Sequence, residues 1–261
     1  MNKENLKIPI AIVLAGALIA LAVYFSNIVP QKSLTPTAKD NSASLSQTFS
    51  FGPISPINAK DQVLGNPNAD LTFVVYSDMQ CPYCKSYHVT MKKIVDNYAK
   101  DGKVALVVRN LPLSSIHPFA LPSAIASECV AKLGGADKYW KYVDSAFAAT
   151  LDSEDTIINL AVKAGVKKDD ISVCMKSDDI SSLVKTQSDE MISATGGRIG
   201  TPHTIVFLKE PLTTTGKNNI NLMFSKIGGD VDISADSKEI GFAGNIPFEL
   251  MKLFVDTATK K

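Results

Sequence analysis

The chain has 261 residues, with 27 basic and 26 acidic side chains and a formal net charge of +1. This length allows one large domain or two small ones. The balanced charge argues against the broad basic face of a nucleic-acid-binding protein. The four cysteines, whose oxidation state depends on the compartment, are Cys81, Cys84, Cys129 and Cys174.

The N-terminus contains an uncharged apolar stretch of 22 residues from Ile8 to Val29. That is close to the length that crosses a bilayer and longer than the apolar part of a usual signal peptide. Lys3 and Lys7 precede it and favour a cytoplasmic N-terminus. We therefore expect residues 1–29 to be a single-pass anchor with the rest of the chain extracytoplasmic. The alternative is a long cleaved signal, which also exports the domain to a side where disulfides persist.

Residues 30–57 are rich in Ser, Thr, Pro, Asn and Ala and carry little apolar periodicity. Such a composition is typical of a flexible tether. We expect Phe49, Phe51 and Ile54 to begin docking on the domain, and the globular part to start near Ala59.

The globular part begins with a strand, a helix and a second strand, which predicts a parallel pair joined by a right-handed crossover. Apolar patterning then predicts five helices between residues 118 and 197. The C-terminal part is predicted to contain a strand, a polar turn-rich segment, a partner strand, a polar loop, a short edge strand and a closing helix. The first strand, helix and second strand are predicted at 71–77, 81–98 and 103–110. The five helices are predicted at 120–133, 138–150, 153–164, 169–175 and 180–195. The C-terminal elements, in the order just named, are predicted at 203–208, 209–219, 221–227, 228–238, 239–243 and 247–257.

The motif Cys81-Pro82-Tyr83-Cys84 lies where the first strand gives way to the helix. This context indicates a redox dithiol. Unsatisfied N–H groups and the helix dipole at a helix N-terminus favour a thiolate, so Cys81 is expected to be exposed with a low pKa. Cys84, one turn further, is expected to be the buried resolving thiol. Pro82 suits the first helical position, and Tyr83 is expected to tune Cys81 and contact substrate.

The order of several motifs resembles the DsbA-like thiol-disulfide oxidoreductases, from about Val63 to Leu208. The matching segments are residues 74–84 around the dithiol, 109–113, His117-Pro118, 126–129, 139–142 and Gly200-Thr201-Pro202. The resemblance implies an α/β thioredoxin fold with an inserted helical domain, here preceded by the predicted transmembrane helix. The expected divisions are 58–117 and 198–261 for the thioredoxin fold and 118–197 for the insertion.

Two features depart from that family. Many relatives carry a buried Glu six residues before the first cysteine, where this chain has Val75. Asp78 lies nearby in the turn but is not expected to replace that proton acceptor. The segment 209–238 is also longer than the short hairpin usual in the family.

The resemblance implies that the Thr201-Pro202 bond is cis and faces the dithiol. In that position the backbone of Thr201 can pair with an extended substrate. From the residues alone, an ordinary trans turn is the alternative.

Cys129 and Cys174 both fall in the predicted helical insertion. In an exported domain we expect them to form a structural disulfide. Two buried free thiols, packed as small apolar groups, are the alternative.

Other functions remain as alternatives. A structural zinc site lacks a second Cys pair at the required spacing. His88 and His203 lie near the dithiol in sequence, and soft thiolates select Cu(I), so a copper-delivery protein is one alternative and a thioredoxin-like binding module another. We expect His88 to be a solvated helix residue, His203 to tune Cys81 or contact substrate, and His117 to be a capping or loop residue. No cofactor and no metal are expected.

The sequence thus predicts an extracytoplasmic, membrane-tethered thiol-disulfide oxidoreductase. Its expected partners are exported cysteine-containing proteins, the membrane and a membrane redox partner, with no nucleic acid. Disulfide donation is the expected direction, and reduction or isomerisation on the same dithiol are the alternatives.

Overall fold

The computed structural model describes residues 51–98 and 100–260. The predicted anchor at 1–29 and most of the predicted linker at 30–57 lie outside these ranges. Within them, no helix combines the length and the apolar character that a membrane crossing requires.

A six-stranded mixed sheet forms the centre of the fold. Its strand order is β1-β3-β2-β4-β6-β5. Only β2 and β3 run parallel, and the other four neighbouring pairs are antiparallel. The strands are β1 (Leu64–Gly65), β2 (Leu71–Ser77), β3 (Val104–Asn110), β4 (His203–Leu208), β5 (Val231–Ile233) and β6 (Glu239–Ala243).

Seven helices surround this sheet in the described part of the chain. The first connects β2 to β3 as the crossover of a βαβ unit, and the next four lie between β3 and β4 as the predicted helical insertion. The helices are α1 (Pro82–Tyr98), α2 (Ala120–Ala148), α3 (Glu154–Lys163), α4 (Lys168–Cys174), α5 (Asp178–Ala194), α6 (Thr214–Lys226) and α7 (Phe248–Ala258).

The sheet is buried on both faces, as the continuous apolar run of β2 requires. Phe73 and Val75 point into a large core shared with α1 and α7. Val74 and Tyr76 point the other way, into a smaller core that includes α5. The end of β2 leads through a short turn to the start of α1, where the dithiol lies.

The predicted helices 120–133 and 138–150 are the two helical segments of α2, which meet at a kink. Gly135 has φ 74° and ψ −174°, a conformation that a residue without a Cβ adopts readily. The expected break at the Gly-Gly pair is therefore confirmed, because the helical backbone is interrupted at Gly135.

The predicted partner strand at 221–227 is wrong, because these residues belong to helix α6 and its C-terminal end. Thr213 caps this helix by accepting a hydrogen bond from the backbone N–H of Gly216 at 3.0 Å. Ile220, Met223 and Phe224 are buried at the spacing of one helical face. Gly216 and the neighbouring Asn residues, which indicated turns, are accommodated inside the helix.

The expected position of the edge strand is also wrong. Strand β6, at the predicted 239–243, lies between β4 and β5. The edge is β5, three residues within the predicted loop 228–238. The hydrogen-bonded pair β5–β6 explains why this segment is longer than a hairpin turn.

The expected docking of Phe51 and Ile54 is confirmed, Phe49 lies outside the described residues, and the predicted linker boundary lies too far toward the C-terminus. The side chain of Ile54 is buried, and Gly52 donates its N–H to the carbonyl of Ala194 at 2.7 Å. The ring of Phe51 lies so close to Gly241 that a Cβ there would be 2.1 Å from it. The domain therefore starts before Ala59.

Candidate active site

Cys81 occupies the position just before the first turn of α1. Its carbonyl accepts a hydrogen bond from the N–H of Lys85 at 3.0 Å, and its own N–H donates to the carbonyl of Asp78 at 3.1 Å. Pro82 follows as the first helical residue, where a missing N–H costs nothing. The sequence thus places the first sulfur at the positive end of a helix.

The expectation that Cys81 is exposed is wrong, since only 4% of the residue is accessible. Its sulfur lies 3.7 Å from the backbone oxygen of Thr201, so the loop before β4 covers it. Cys84, one turn inside α1, is 1% accessible. Tyr83, which lies between them in the sequence, is 66% accessible.

The loop that covers Cys81 contains the one cis peptide bond of the described residues, between Thr201 and Pro202. The carbonyl of Pro202 accepts a hydrogen bond from the N–H of Gly244 at 2.9 Å. The end of β6 therefore holds this loop over the start of α1.

The two thiols have pKa values displaced in opposite directions. The hydrogen bond from the Cys84 side chain, aided by the backbone N–H groups of Cys84 and Tyr83, outweighs burial and lowers the pKa of Cys81 to about 5. Burial, with the hydrogen bond to Cys81, raises the pKa of Cys84 well above its usual value. In the reduced state, Cys81 is therefore a thiolate near neutral pH, and Cys84 is a thiol that donates to it.

The turn between β2 and α1 is held by Asp78, which the sequence singled out only as an unsuitable proton acceptor. Its buried carboxylate accepts hydrogen bonds from the N–H groups of Gln80 at 2.8 Å and Leu113 at 2.9 Å. His117 Nδ1 lies 2.7 Å from the same group. His117, expected to be a loop or capping residue, thus also braces the turn.

Gln80 joins the same turn to the helical insertion. Its side chain accepts from the N–H of Phe119 at 2.6 Å and donates to the carbonyl of Leu151 at 2.9 Å. No local pattern in the sequence indicated this role, because both partners are remote.

The prediction of a solvated His88 is wrong. Only 8% of this residue is accessible, and its Nε2 lies 2.7 Å from Oδ1 of Asp144. The ring also stacks on Phe147 with centroids 4.4 Å apart. The i, i+4 spacing from Cys84 was the available signal that His88 faces inward.

His203 is also buried, so it offers little surface to a substrate. Its Nδ1 lies 2.6 Å from the carbonyl oxygen of Gly200. Burial lowers the pKa of His203, so the ring is held neutral behind the loop of Pro202.

The other two cysteines form a disulfide between Cys129 on α2 and Cys174 at the end of α4, with Cα atoms 5.8 Å apart. No bond joins the sulfurs of Cys81 and Cys84 in this structure. Within residues 51–98 and 100–260, no three His, Cys, Asp or Glu side chains group as a metal site.

A dithiol at a helix N-terminus, beneath a cis-proline loop on a sheet of this topology, defines a protein of the thioredoxin fold. The family described as Thioredoxin matches residues 58–207, more than half of the chain. The chain belongs to this family.

Three further similarities refine the comparison. The crystal structure of alpha-DsbA1 from Wolbachia pipientis is similar to this structure, with a TM-score of 0.59 and 18% sequence identity. The similarity covers 78% of this chain and 93% of that chain. A probable disulfide bond formation protein D from Bacillus anthracis is 28% identical over 138 residues, 49% of this chain and 62% of that protein. The Na(+)/H(+) antiporter NhaA 1 of Mycolicibacterium gilvum (strain PYR-GCK) is 33% identical over 114 residues, 43% of this chain.

The antiporter match spans only 17% of that protein's length, so it concerns a small part of a much longer chain. The structural likeness, in contrast, extends over most of both chains. The fold is that of the DsbA-type thiol-disulfide oxidoreductases.

Proposed function

We propose that this protein is an extracytoplasmic, membrane-tethered oxidoreductase that donates disulfides to exported proteins through Cys81 and Cys84. The observation that carries the proposal is the position of Cys81 at the start of α1 beneath the backbone oxygen of Thr201, which accompanies a lowered pKa of Cys81 and a raised pKa of Cys84. A stabilised thiolate on Cys81 favours the reduced form of the pair, which makes its disulfide oxidising.

Donation proceeds by two exchanges. A substrate thiolate attacks the sulfur of Cys81 in the Cys81–Cys84 disulfide, which forms a mixed disulfide and releases Cys84. A second substrate thiolate then attacks the substrate sulfur of the mixed disulfide and releases Cys81 as a thiolate. The substrate loses two electrons and the dithiol gains them, so a membrane redox partner must reoxidise the pair before the next cycle.

The surface around Cys81 suits an extended substrate segment. The backbone of Thr201 reaches the sulfur, and a strand-like segment can pair with such a backbone. Exposed Tyr83 adds an aromatic contact. Such pairing recognises mainly the backbone of the substrate, which fits a protein that acts on many cysteine-containing partners.

The direction of the reaction is tested by the equilibrium reduction potential of the full-length chain in glutathione buffers, with the dithiol followed by mass-tagged alkylation. We expect a potential well above thioredoxin's value of about −270 mV. The C81S/C84S variant is the control and should show no glutathione-dependent tagging. A potential as low as thioredoxin's would contradict donation and point to a reductase.

Substrates are tested by trapping. C84S keeps the attacking sulfur but cannot resolve a mixed disulfide, so it should accumulate covalent adducts that C81S does not form. The proposal expects exported proteins among the adducts. Fractionation of the full chain against a chain lacking residues 8–29 tests the tether, and equal release of both into the soluble fraction would contradict it.

A further inference from the structure

A small cavity lies directly behind Cys84. Its volume is about 10 Å³, close to the space that one water molecule needs. Val75 and Ser77 of β2 line one side, and Cys84, Tyr87 and His88 of α1 line the other. The cavity therefore brings the buried thiol and an imidazole to the same enclosed space.

Contacts with Asp144 and Phe147 hold the imidazole of His88 in place. Its Nε2 is hydrogen-bonded to Oδ1 of Asp144, and Lys92 holds the other carboxylate oxygen at 3.1 Å. Phe147 stacks against the ring. Since Asp144 occupies Nε2, Nδ1 is the nitrogen available to a second proton partner.

Cys84 needs such a partner in every cycle. It leaves the disulfide as a thiolate that must gain a proton, and it must lose that proton to attack again. With 1% of its surface accessible, it exchanges protons poorly with bulk water. Val75, which lines the cavity from β2, has no proton to give or take.

We propose that His88 passes the proton to and from Cys84 through one water molecule in this cavity, with Asp144 orienting the imidazole. When the Cys81–Cys84 bond breaks, Cys84 takes a proton from the water, which takes one from His88. When Cys84 attacks a mixed disulfide on Cys81, the same proton returns to His88. The inference rests on the proposed exchange chemistry but not on its direction.

The electrostatic surroundings of the cavity are few and defined. The titratable or charged groups are Cys84, Tyr87 and Lys92 on α1, Asp144 on α2, and Cys81, which is hydrogen-bonded to Cys84. Tyr87 is engaged through its hydroxyl with Thr204 at 3.1 Å. Strands β2 and β3 contribute only apolar side chains and the hydroxyl of Ser77 to the lining.

The test isolates the Cys84 step in the full-length chain. Reduced protein is mixed with 5,5′-dithiobis(2-nitrobenzoate) in a stopped-flow instrument, and release of the coloured thiolate is followed. Cys81 attacks in the first phase, and Cys84 resolves the mixed disulfide in the second. H88Q keeps an N–H that can reach Asp144 but cannot relay a proton. We expect it to slow the second phase by at least about tenfold near neutral pH, with the first phase unchanged.

The pH profile separates proton transfer from a structural effect. The deficit of H88Q should shrink as pH rises, because hydroxide then removes the Cys84 proton directly. Adding V75E to H88Q places a carboxylate on the opposite wall of the cavity and should restore most of the rate. V89Q is the matched control, since Val89 is the next residue on α1 and is largely exposed. It should behave as the unmodified chain.

An unchanged second phase in H88Q would overturn the inference. So would a deficit that is equal at every pH and that V75E does not restore, because that result indicates a structural role. If H88Q does not fold, D144N is measured in its place, and its second phase must show the same pH-dependent slowing. Loss of both phases in the unmodified chain would refute the proposed function itself, and the relay with it, whereas loss of the His88 effect alone refutes only the relay.

Discussion

Asn110, at the end of β3, donates its side-chain N–H to Oε1 of Glu128 on α2 at 2.8 Å. Gln187 on α5 donates to the same oxygen at 3.0 Å and accepts from Asn110. This buried network joins the thioredoxin sheet to two helices of the insertion. Its hydrogen bonds to the carboxylate come from neutral amides, so burial outweighs them and raises the pKa of Glu128 to about 7.

We predict that E128Q is more stable than the unmodified chain above neutral pH. The folded-state pKa of Glu128 exceeds its unfolded value, so stability is lost as pH rises from about 4.5 to about 7. The amide introduced by E128Q keeps an oxygen for both hydrogen bonds and carries no charge. Urea unfolding at pH 8 should show a gain of up to about 3 kcal/mol.

The control for this prediction is E210Q, because Glu210 is exposed. This variant should keep the unmodified pH dependence of the unfolding free energy, whereas E128Q should flatten it between pH 4.5 and 7. Parallel curves for E128Q and the unmodified chain would mean that folding does not raise the pKa of Glu128.

Removing the Cys84 thiol should raise the pKa of Cys81. The hydrogen bond from Cys84 is the largest contribution to the low value of about 5. Ultraviolet absorbance of the thiolate in C84A should therefore titrate at higher pH than in the reduced unmodified chain. Cys129 and Cys174 do not contribute, since they are disulfide-bonded. Identical midpoints would assign the low pKa to the helix N-terminus and to Thr201 instead of Cys84.

R109M should unfold more easily and release the segment before β1. The guanidinium of Arg109 is buried, contacts Asp61 at 2.8 and 2.9 Å and Glu190 at 3.2 Å, and donates to the carbonyl of Ser55 at 3.0 Å. Its removal leaves buried carboxylates unpaired, which costs about 3–5 kcal/mol. Denaturant unfolding and proteolysis near residues 51–60 measure both effects.

K132M provides the comparison for R109M, because the ion pair of Lys132 with Asp179 is exposed. Exposed pairs contribute less than about 1 kcal/mol. If the two variants lost similar stability, the contacts of Arg109 would not be what holds residues 51–60 on the domain.

The disulfide of the insertion should contribute to stability without affecting the dithiol. It closes a sequence separation of 45 residues, which corresponds to about 4 kcal/mol in the chain-entropy model. C129A/C174A should lose roughly that amount in denaturant unfolding and keep the alkylation rate of Cys81. A large change in that rate would reveal coupling between the insertion and the active site.

Local pattern predicted most elements of the sheet and insertion, and its failures have a common cause. Residues 214–226 form a helix although Gly216 and three asparagines indicated turns, because Ile220, Met223 and Phe224 gain burial against the core. The strand pairing of β5 with β6 likewise depends on a neighbour that local patterning does not identify. Tertiary packing overrides weak local preference in both places.

The sequence by itself determined the dithiol at a strand–helix junction, because a buried strand, a helix N-terminus and the C-x-x-C spacing are all local features. Only the tertiary structure brought Thr201 over Cys81, 120 residues away, and Asp144 behind His88, 56 residues away. Such contacts depend on how helices and loops pack on the sheet, and the spacing of residues along the chain does not specify that packing. The covering of Cys81 and the surroundings of Cys84 are therefore properties of the fold.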